Sequence, residues 1–205
     1  MKRLSFKIVG KNKIRLSNPQ AVDPLNTFSI RMKAFTDTHH TRRDEQHYLD
    51  QRDLEMESKL YWTDELGVYI PSNWVMESIA KESFSQVKVA KAKMRGAVFM
   101  ASDKIKLNYA GMETVSTKED VIHNSQFRDV TPIKQGQVRI IKTFPAFTGW
   151  SFNVELDFDE RIFTEDEIKK ILAVAVSRNG FGDFRPTFGC GSIENWSVTD
   201  TADVA

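Results

Sequence analysis

The chain has 205 residues, of which 40% are hydrophobic and 28% charged, and its formal net charge is +1. This composition provides a substantial core for one domain, and no stretch reaches the ~20 apolar residues of a membrane span. The single cysteine, Cys190, excludes an internal disulfide and a Cys-based zinc site, as is typical of a reducing compartment. Because charged residues interrupt the N-terminal apolar stretch before a signal sequence could form, we expect a cytoplasmic protein.

In the N-terminal third, the sequence predicts two strands followed by helical structure. Leu4 to Val9 and Lys13 to Leu16 have the apolar pattern of strands. Residues 41 to 59 are mostly polar helix formers with only a ragged apolar face. We therefore expect an exposed helical insertion at about residues 30 to 60.

Charge is unevenly distributed along the chain. Ten basic residues and two acidic ones precede Asp44, and a second basic run lies between residues 88 and 95. Such segments favour a surface that binds polyanions. The alternative is that they meet the acidic residues of segments 44–65 and 155–167 across the fold or between subunits.

The middle of the chain predicts a hairpin, a helix and an irregular insertion. The hairpin runs from Leu60 to Ile70, and Pro71-Ser72-Asn73 begins a helix that continues to about Phe84. Residues 102 to 130 have no clear hydrophobic period. We expect them to form a second insertion.

The C-terminal part predicts a β-β-α-loop-β order. Residues 137–144 and 150–158 are strand-like, and Pro145 and Gly149 are expected to mark the turn between them. Thr164 and Glu167 form a capping box, after which apolar residues recur at helical spacing. These apolar residues, expected to face the strands, are Ile168, Ile171, Leu172 and Ala175. The helix is expected to end at Asn179-Gly180, and Ser192 to Val198 resumes as a strand.

The segment between that helix and the last strand contains two G-x-G pairs. Gly180/Gly182 and Gly189/Gly191 bracket Arg185, so backbone N–H groups and a guanidinium could contact phosphates. The alternative is an ordinary helix C-cap followed by a turn. No G-K-[S/T] follows, and the glycines end a helix instead of opening one, which excludes a P-loop NTPase and a dinucleotide fold.

Three phenylalanines, Phe181, Phe184 and Phe188, interleave these glycines. An exposed ring could stack on a base. Because aromatic residues are more often part of the core, we expect at least two of the three to be buried.

Several of these motifs together resemble the RAMP superfamily, which comprises RNA-binding CRISPR proteins. They are the glycine-rich loop after a β-β-α unit, the Ile70-Pro71-Ser72-Asn73-Trp74 helix start and the Asn18-Pro19 to Asp23-Pro24-Leu25-Asn26 segment. The chain is similar to the repeating backbone subunits of CRISPR effector complexes and to a group of phage and prophage proteins. Asn73 and Trp74 depart from the small polar residues of the family's helix start.

The resemblance implies an α+β fold with a ferredoxin-like (RRM-type) core, in a single RAMP-like domain spanning residues 1–205. It also implies a protein that binds single-stranded RNA, or DNA, and that self-associates along the strand or joins CRISPR effector subunits. A membrane partner is not expected. The residues expected to bind nucleic acid are Lys13, Arg15, Asn18, Ser72, Asn73, Lys88, Lys91, Lys93, Gly180, Gly182, Arg185, Gly189 and Gly191.

Catalysis is not expected, and neither is a cofactor or a metal. Asp23 falls where some RAMP proteins carry an RNA-cleaving aspartate, so it is the one catalytic candidate, although Asp-Pro-Leu-Asn is also a common turn sequence. His39, His40 and His47 lack the spacing of a metal site. Two alternative functions remain open, namely a ribonuclease that uses Asp23 and an interaction or inhibitor protein that mimics an effector subunit.

Overall fold

A computed structural model describes residues 1–200, apart from the side chains of His40 and Gln135. It shows a mixed α/β fold with antiparallel sheets. The strands are β1 (Lys2–Gly10), β2 (Ile14–Arg15), β3 (Trp62–Thr63), β4 (Gly67–Pro71), β5 (Val98–Met100), β6 (Lys104–Lys106), β7 (Arg128–Gln135), β8 (Val138–Phe147), β9 (Ser151–Phe158) and β10 (Gly191–Asp200). The α-helices are α1 (Thr27–Asp37), α2 (Glu45–Lys59), α3 (Asn73–Val87), α4 (Lys91–Arg95), α5 (Lys118–Ile122) and α6 (Glu165–Val174).

The main sheet has four strands in the order β10-β1-β9-β5, and each neighbouring pair is antiparallel. Every second side chain of β1 and β9 is buried, including Leu4, Phe6 and Ile8. These side chains share one hydrophobic core with the buried residues of α3 and α6. Because strand side chains alternate between faces, both helices cover one face of this sheet and leave the other open.

Helix α6 begins and packs as its sequence predicts. The Thr164 hydroxyl accepts a hydrogen bond from the Glu167 amide at 3.3 Å, and the Glu167 carboxylate accepts one from the Thr164 amide at 2.9 Å. Ile168, Ile171 and Leu172 are fully buried, which confirms the predicted inner face. A π-helical turn, Ala175–Asn179, extends the helix to Gly180.

Replacing Leu172 with alanine is expected to lower the free energy of unfolding by about 3 kcal/mol, because it removes a fully buried side chain from a close-packed core. Chemical denaturation monitored by circular dichroism measures this loss. Lys170→Ala on the exposed side of the same helix is the control, and its effect should stay within about 0.5 kcal/mol. A loss of less than about 1 kcal/mol for Leu172→Ala would contradict the packing described.

Two three-stranded sheets, β2-β8-β7 and β3-β4-β6, flank the main sheet. Residues 30–60 are helical, but they are not fully exposed as predicted. Helix α1 has no buried residue, whereas Leu54 and Met56 of α2 are buried. The C-terminal half of α2 packs on β8, an arrangement that its ragged apolar pattern does not indicate.

The turn predicted at Pro145 is wrong. Pro145 lies inside β8, opposite Arg128 at the end of the β7–β8 ladder, and the chain turns only after Phe147. Proline has no amide to donate, but its carbonyl still takes part in the sheet, because it accepts a hydrogen bond from the Leu16 amide at 2.8 Å. Residues 102–130 hold short elements, among them β6 and α5, which are too short to produce a hydrophobic period. None of the helices within residues 1–200 is long and apolar enough to cross a membrane.

Candidate nucleic-acid interface

The glycine loop, residues 180–190, folds back tightly on itself and on the first strands. A Cβ atom at Gly189 would lie 1.8 Å from the Phe181 carbonyl oxygen, and one at Gly182 would lie 2.4 Å from the Arg15 carbonyl oxygen. Both glycines also have positive φ, +77° and +80°. The glycines are therefore required for packing, and the ligand contacts predicted for Gly180, Gly182, Gly189 and Gly191 remain a prediction.

Most amides in this loop already have partners inside the protein. The Phe181 amide donates to the Gly189 carbonyl at 3.0 Å, the Gly189 amide to Lys13 at 2.9 Å and the Asp183 amide to Arg15 at 2.8 Å. Further donors of this kind are the amides of Gly180, Phe188 and Cys190. A phosphate beside the loop would consequently be held mainly by side chains, contrary to the expectation that loop N–H groups bind it.

Arg15 is buried, with 1% of its surface exposed, so the phosphate contact predicted for it is not open. Its Nη2 donates to Asp183 Oδ2 at 2.8 Å, and its Nη1 lies 3.6 Å from Asp129 Oδ2. Its guanidinium carbon lies 4.0 Å from the centroid of the Phe144 ring. Arg15 therefore ties the glycine loop to β2 and β8.

A second, largely buried cation, Lys59, also lies against the Phe144 ring. The Lys59 ammonium lies 3.9 Å from the ring centroid and donates to the Thr143 carbonyl at 2.5 Å. Burial lowers the pKa of Lys59 to about 8. The Glu55 carboxylate accepts a hydrogen bond from the Thr143 amide at 2.6 Å. This network attaches α2 to β8 and leaves little of the Lys59 charge for a ligand.

The N-terminal basic stretch does not form one surface. Its residues are spread over β1, β2, α1 and the segments between and after them, and five of the ten form ion pairs. These five are Lys2, Arg3, Lys13, Arg15 and Arg31. For this stretch the alternative reading, in which basic and acidic segments meet across the fold, describes the molecule better.

A basic cleft of about 340 Å³ lies where α3 and α4 meet the glycine loop. Four cationic side chains line this basic cleft, Lys81, Lys91, Arg178 and Arg185, together with one carboxylate, Glu77. Glu77 is paired with Arg95 at 2.5 Å and with Lys91 at 3.1 Å. Hydrogen bonds from those two cations hold the pKa of the Glu77 carboxyl below its usual value.

Three of the four cations are free of salt bridges among the described residues, although Lys81 interacts electrostatically with Glu82. Lys81, Arg178 and Arg185 are exposed, and none of them forms a salt bridge within the part of the chain that the structure describes. The side chains of Ser78, Asn179 and Pro186 complete the walls. An anion in the basic cleft would meet a clear excess of positive charge.

The structure therefore brings together Arg185 and Lys91, two of the residues that the sequence predicted to bind nucleic acid, and adds two cations that it did not predict. Lys81 lies one turn beyond Glu77 in α3, and Arg178 lies in the π-helical turn before Gly180. Arg178 could have been recognised from the sequence, because it is a basic residue next to a predicted helix end. Lys93 is exposed on α4.

The remaining predicted residues lie elsewhere. Lys88 ends α3 with φ of +60°, and its ammonium lies 5.5 Å from the Phe84 ring centroid. Ser72 is buried and its amide donates to Asp103, while Asn73 is exposed at the start of α3. The Asn18 side chain caps a short 3-10 helix, residues 19–22.

Asp23 is exposed at the end of that 3-10 helix. Its Oδ1 accepts a hydrogen bond from the Leu25 amide at 2.9 Å, and its carbonyl accepts one from the Asn26 amide at 3.1 Å. These contacts are those of a turn-forming aspartate. They give Asp23 a structural role, and its catalytic role remains a prediction.

The open face of the main sheet is a less suitable nucleic-acid surface. RRM-type recognition stacks bases on aromatic side chains of the central strands, but β1 directs Arg3, Ser5 and Lys7 to this face. The Arg3 guanidinium forms two hydrogen bonds to Asp157 at 2.7 and 2.9 Å. The charge of Arg3 is thus locally neutralised, whereas Lys81, Arg178 and Arg185 of the basic cleft form no salt bridge with any described residue.

Comparison with known proteins supports the fold. No protein-family model matches the sequence, and neither does any curated protein. Among solved structures, the chain is similar to one in the cryo-EM structure of the Type III-B Cmr-beta bound to cognate target RNA. The TM-score is 0.52 at 9% identity, and the match covers 97% of this chain and 61% of that one. This chain thus spans about three fifths of the length of its structural neighbour, and at this identity the similarity concerns the fold.

Proposed function

We propose that the protein is a non-catalytic RAMP-type protein that binds single-stranded RNA at the basic cleft. The observation that carries the proposal is the group of unpaired cations, Lys81, Arg178 and Arg185, beside the glycine loop. The residues themselves do not distinguish RNA from DNA, because none reports on a 2′-hydroxyl. The fold's similarity to a chain in an RNA-bound structure favours RNA.

The topology supports a ferredoxin-like core as part of this proposal. In chain order, β1, α3, β5, β9, α6 and β10 give the β-α-β-β-α-β succession of that fold, with sheet order β10-β1-β9-β5. On this interpretation residues 1–205 form a single RAMP-like domain. The segments near 30–60 and 102–130 are insertions into it.

Binding of this kind is led by the phosphate backbone and depends on salt. Each phosphate contact releases counterions and contributes ~0.7 to the slope of log K against log[salt] for a single strand. Contacts from all four cations give a slope of about −3, and hence about a 50-fold loss of affinity between about 50 and about 200 mM salt. Fluorescence anisotropy with a labelled single-stranded RNA of about 20 nucleotides measures this slope.

Arg185→Ala is expected to weaken binding and to reduce the magnitude of the salt slope by about 0.7, the contribution of one phosphate contact on a single strand. Its melting temperature should stay close to that of the wild type, because an exposed arginine contributes little to stability. Arg161→Ala is a matched control, since Arg161 is an exposed arginine remote in sequence from the basic cleft. If the wild type does not bind RNA at about 50 mM salt, the proposed function is wrong.

An interaction role is the second candidate, and a specific surface favours it. Val22 and Leu25 are 81% and 82% exposed, and Ile30 on α1 is 57% exposed. Exposed apolar residues grouped in this way are typical of protein contacts. They would suit self-association or docking to CRISPR effector subunits. Sedimentation of the wild type and of a Leu25→Ser variant, with and without RNA, distinguishes this role from RNA binding alone.

A further inference from the structure

Phe184 lies in the glycine loop with an unusual backbone conformation and an exposed ring. Its φ is +64°, in the left-handed region that non-glycine residues rarely occupy, and 54% of its surface is exposed. The expectation that at least two loop phenylalanines are buried is wrong, because only Phe181 is buried and Phe188 is intermediate. Residues with strained backbone conformations cluster at ligand sites. Phe184 combines such a conformation with an exposed aromatic ring.

Contacts on both sides of Phe184 hold it in this conformation. The Asp183 amide and carboxylate are both bonded to Arg15, each at 2.8 Å. The Phe184 carbonyl accepts a hydrogen bond from the Phe188 amide at 3.3 Å. The Phe184 ring tilts against the Phe188 ring with 5.6 Å between centroids. Its position is thus fixed in advance, which lowers the entropic cost of using it to bind a ligand.

Cations lie close to the Phe184 and Phe188 rings, and the Arg15 guanidinium carbon is 5.0 Å from the Phe184 ring centroid. Arg185 follows Phe184 directly and lines the basic cleft. The Lys13 ammonium, on a side chain that is 33% exposed, lies 4.4 Å from the centroid of the neighbouring Phe188 ring. Because Phe184 and Arg185 are adjacent in the chain, a strand whose phosphates contact Arg185 at the basic cleft comes within reach of the exposed Phe184 ring.

We propose that Phe184 is the stacking platform for one unpaired base of a strand bound at the basic cleft. This inference rests on the proposed function and extends it, because it explains why the ligand is single-stranded. A base in a duplex has both faces covered by its neighbours, so it cannot stack on a protein ring without leaving the helix. The platform selects for exposed bases, while Arg185 contacts the backbone.

Two probes with the same phosphates separate these roles. One is a labelled oligouridine RNA of about 20 nucleotides, and the other is an abasic strand of the same length. Phe184→Ala is expected to lose about 10-fold in affinity for oligouridine and to bind the abasic strand as the wild type does. Phe184→Trp should retain affinity for oligouridine, and Arg185→Ala should lose affinity for both strands.

Phe184→Gly tests whether loss of the ring weakens RNA binding only because it destabilises the folded loop. Glycine adopts positive φ without strain, so this variant should melt at or above the temperature of Phe184→Ala and still bind oligouridine weakly. The stacking role is wrong if Phe184→Ala binds oligouridine as tightly as the wild type does. It is also wrong if this variant loses as much affinity for the abasic strand as for oligouridine. In either case the proposed RNA binding is unaffected. If the wild type binds neither strand, the proposed function is wrong, and this inference falls with it.

Discussion

Gly189→Ala is expected to disrupt the glycine loop and to lower the free energy of unfolding by about 4 kcal/mol. The added methyl would lie 1.8 Å from the Phe181 carbonyl oxygen, so the two chain segments must separate. Separation breaks the hydrogen bond from the Phe181 amide to the Gly189 carbonyl, which contributes about 1 kcal/mol to the free energy of unfolding. The left-handed backbone adds about 1–2 kcal/mol for a non-glycine residue. Displacement of the loop from the first strands accounts for the remainder.

Gly136→Ala is the matched control for this variant. Gly136 also has positive φ, +60°, but a Cβ atom there would meet nothing within 4 Å. Its substitution should therefore cost only the conformational strain, about 1–2 kcal/mol. Thermal and denaturant unfolding of both variants measure the difference. Equal losses would show that the close approach of Gly189 to Phe181 does not matter for stability.

Arg15→Met is expected to lower the free energy of unfolding by about 3 kcal/mol, because it leaves two carboxylates without the buried arginine that they share. Asp129 and Asp183 both lie within 4 Å of the guanidinium, at 3.6 and 2.8 Å. The Phe144 ring also loses the cation that lies 4.0 Å above it. Because Arg15 holds Asp183 and hence Phe184, RNA affinity should fall in parallel with stability.

A double variant tests the origin of that cost. In Arg15→Met/Asp183→Asn the unpaired charge on the loop is removed, so part of the stability should return. Arg31→Ala is a control that removes an exposed arginine from its ion pair with Glu57, and it should lower the free energy of unfolding by less than about 1 kcal/mol. An Arg15→Met variant as stable as Arg31→Ala would mean that the buried ion pairs do not hold the loop.

The local sequence pattern correctly predicted those helices and strands whose formation depends mainly on their own residues. The capping box at Thr164 fixed the start of α6. The apolar spacing, which continues along the helix, fixed its buried face. The alternation of β9 did the same for the strand that it forms. Pro145 was misplaced because a proline breaks a strand only if its missing amide is needed, which depends on the partner strand.

The sequence by itself thus determined the β-β-α-loop-β order and the inner face of α6. It also predicted Arg185 and Lys91 as binding residues without indicating that they line one cleft. Tertiary structure alone decided which charges reach the surface. Arg15 and Arg185 have the same side chain, but Arg15 is surrounded by Asp129, Asp183 and Phe144, whereas Arg185 is exposed beside the basic cleft. The availability of a charge depends on residues that lie far apart in the chain, and only folding brings them together.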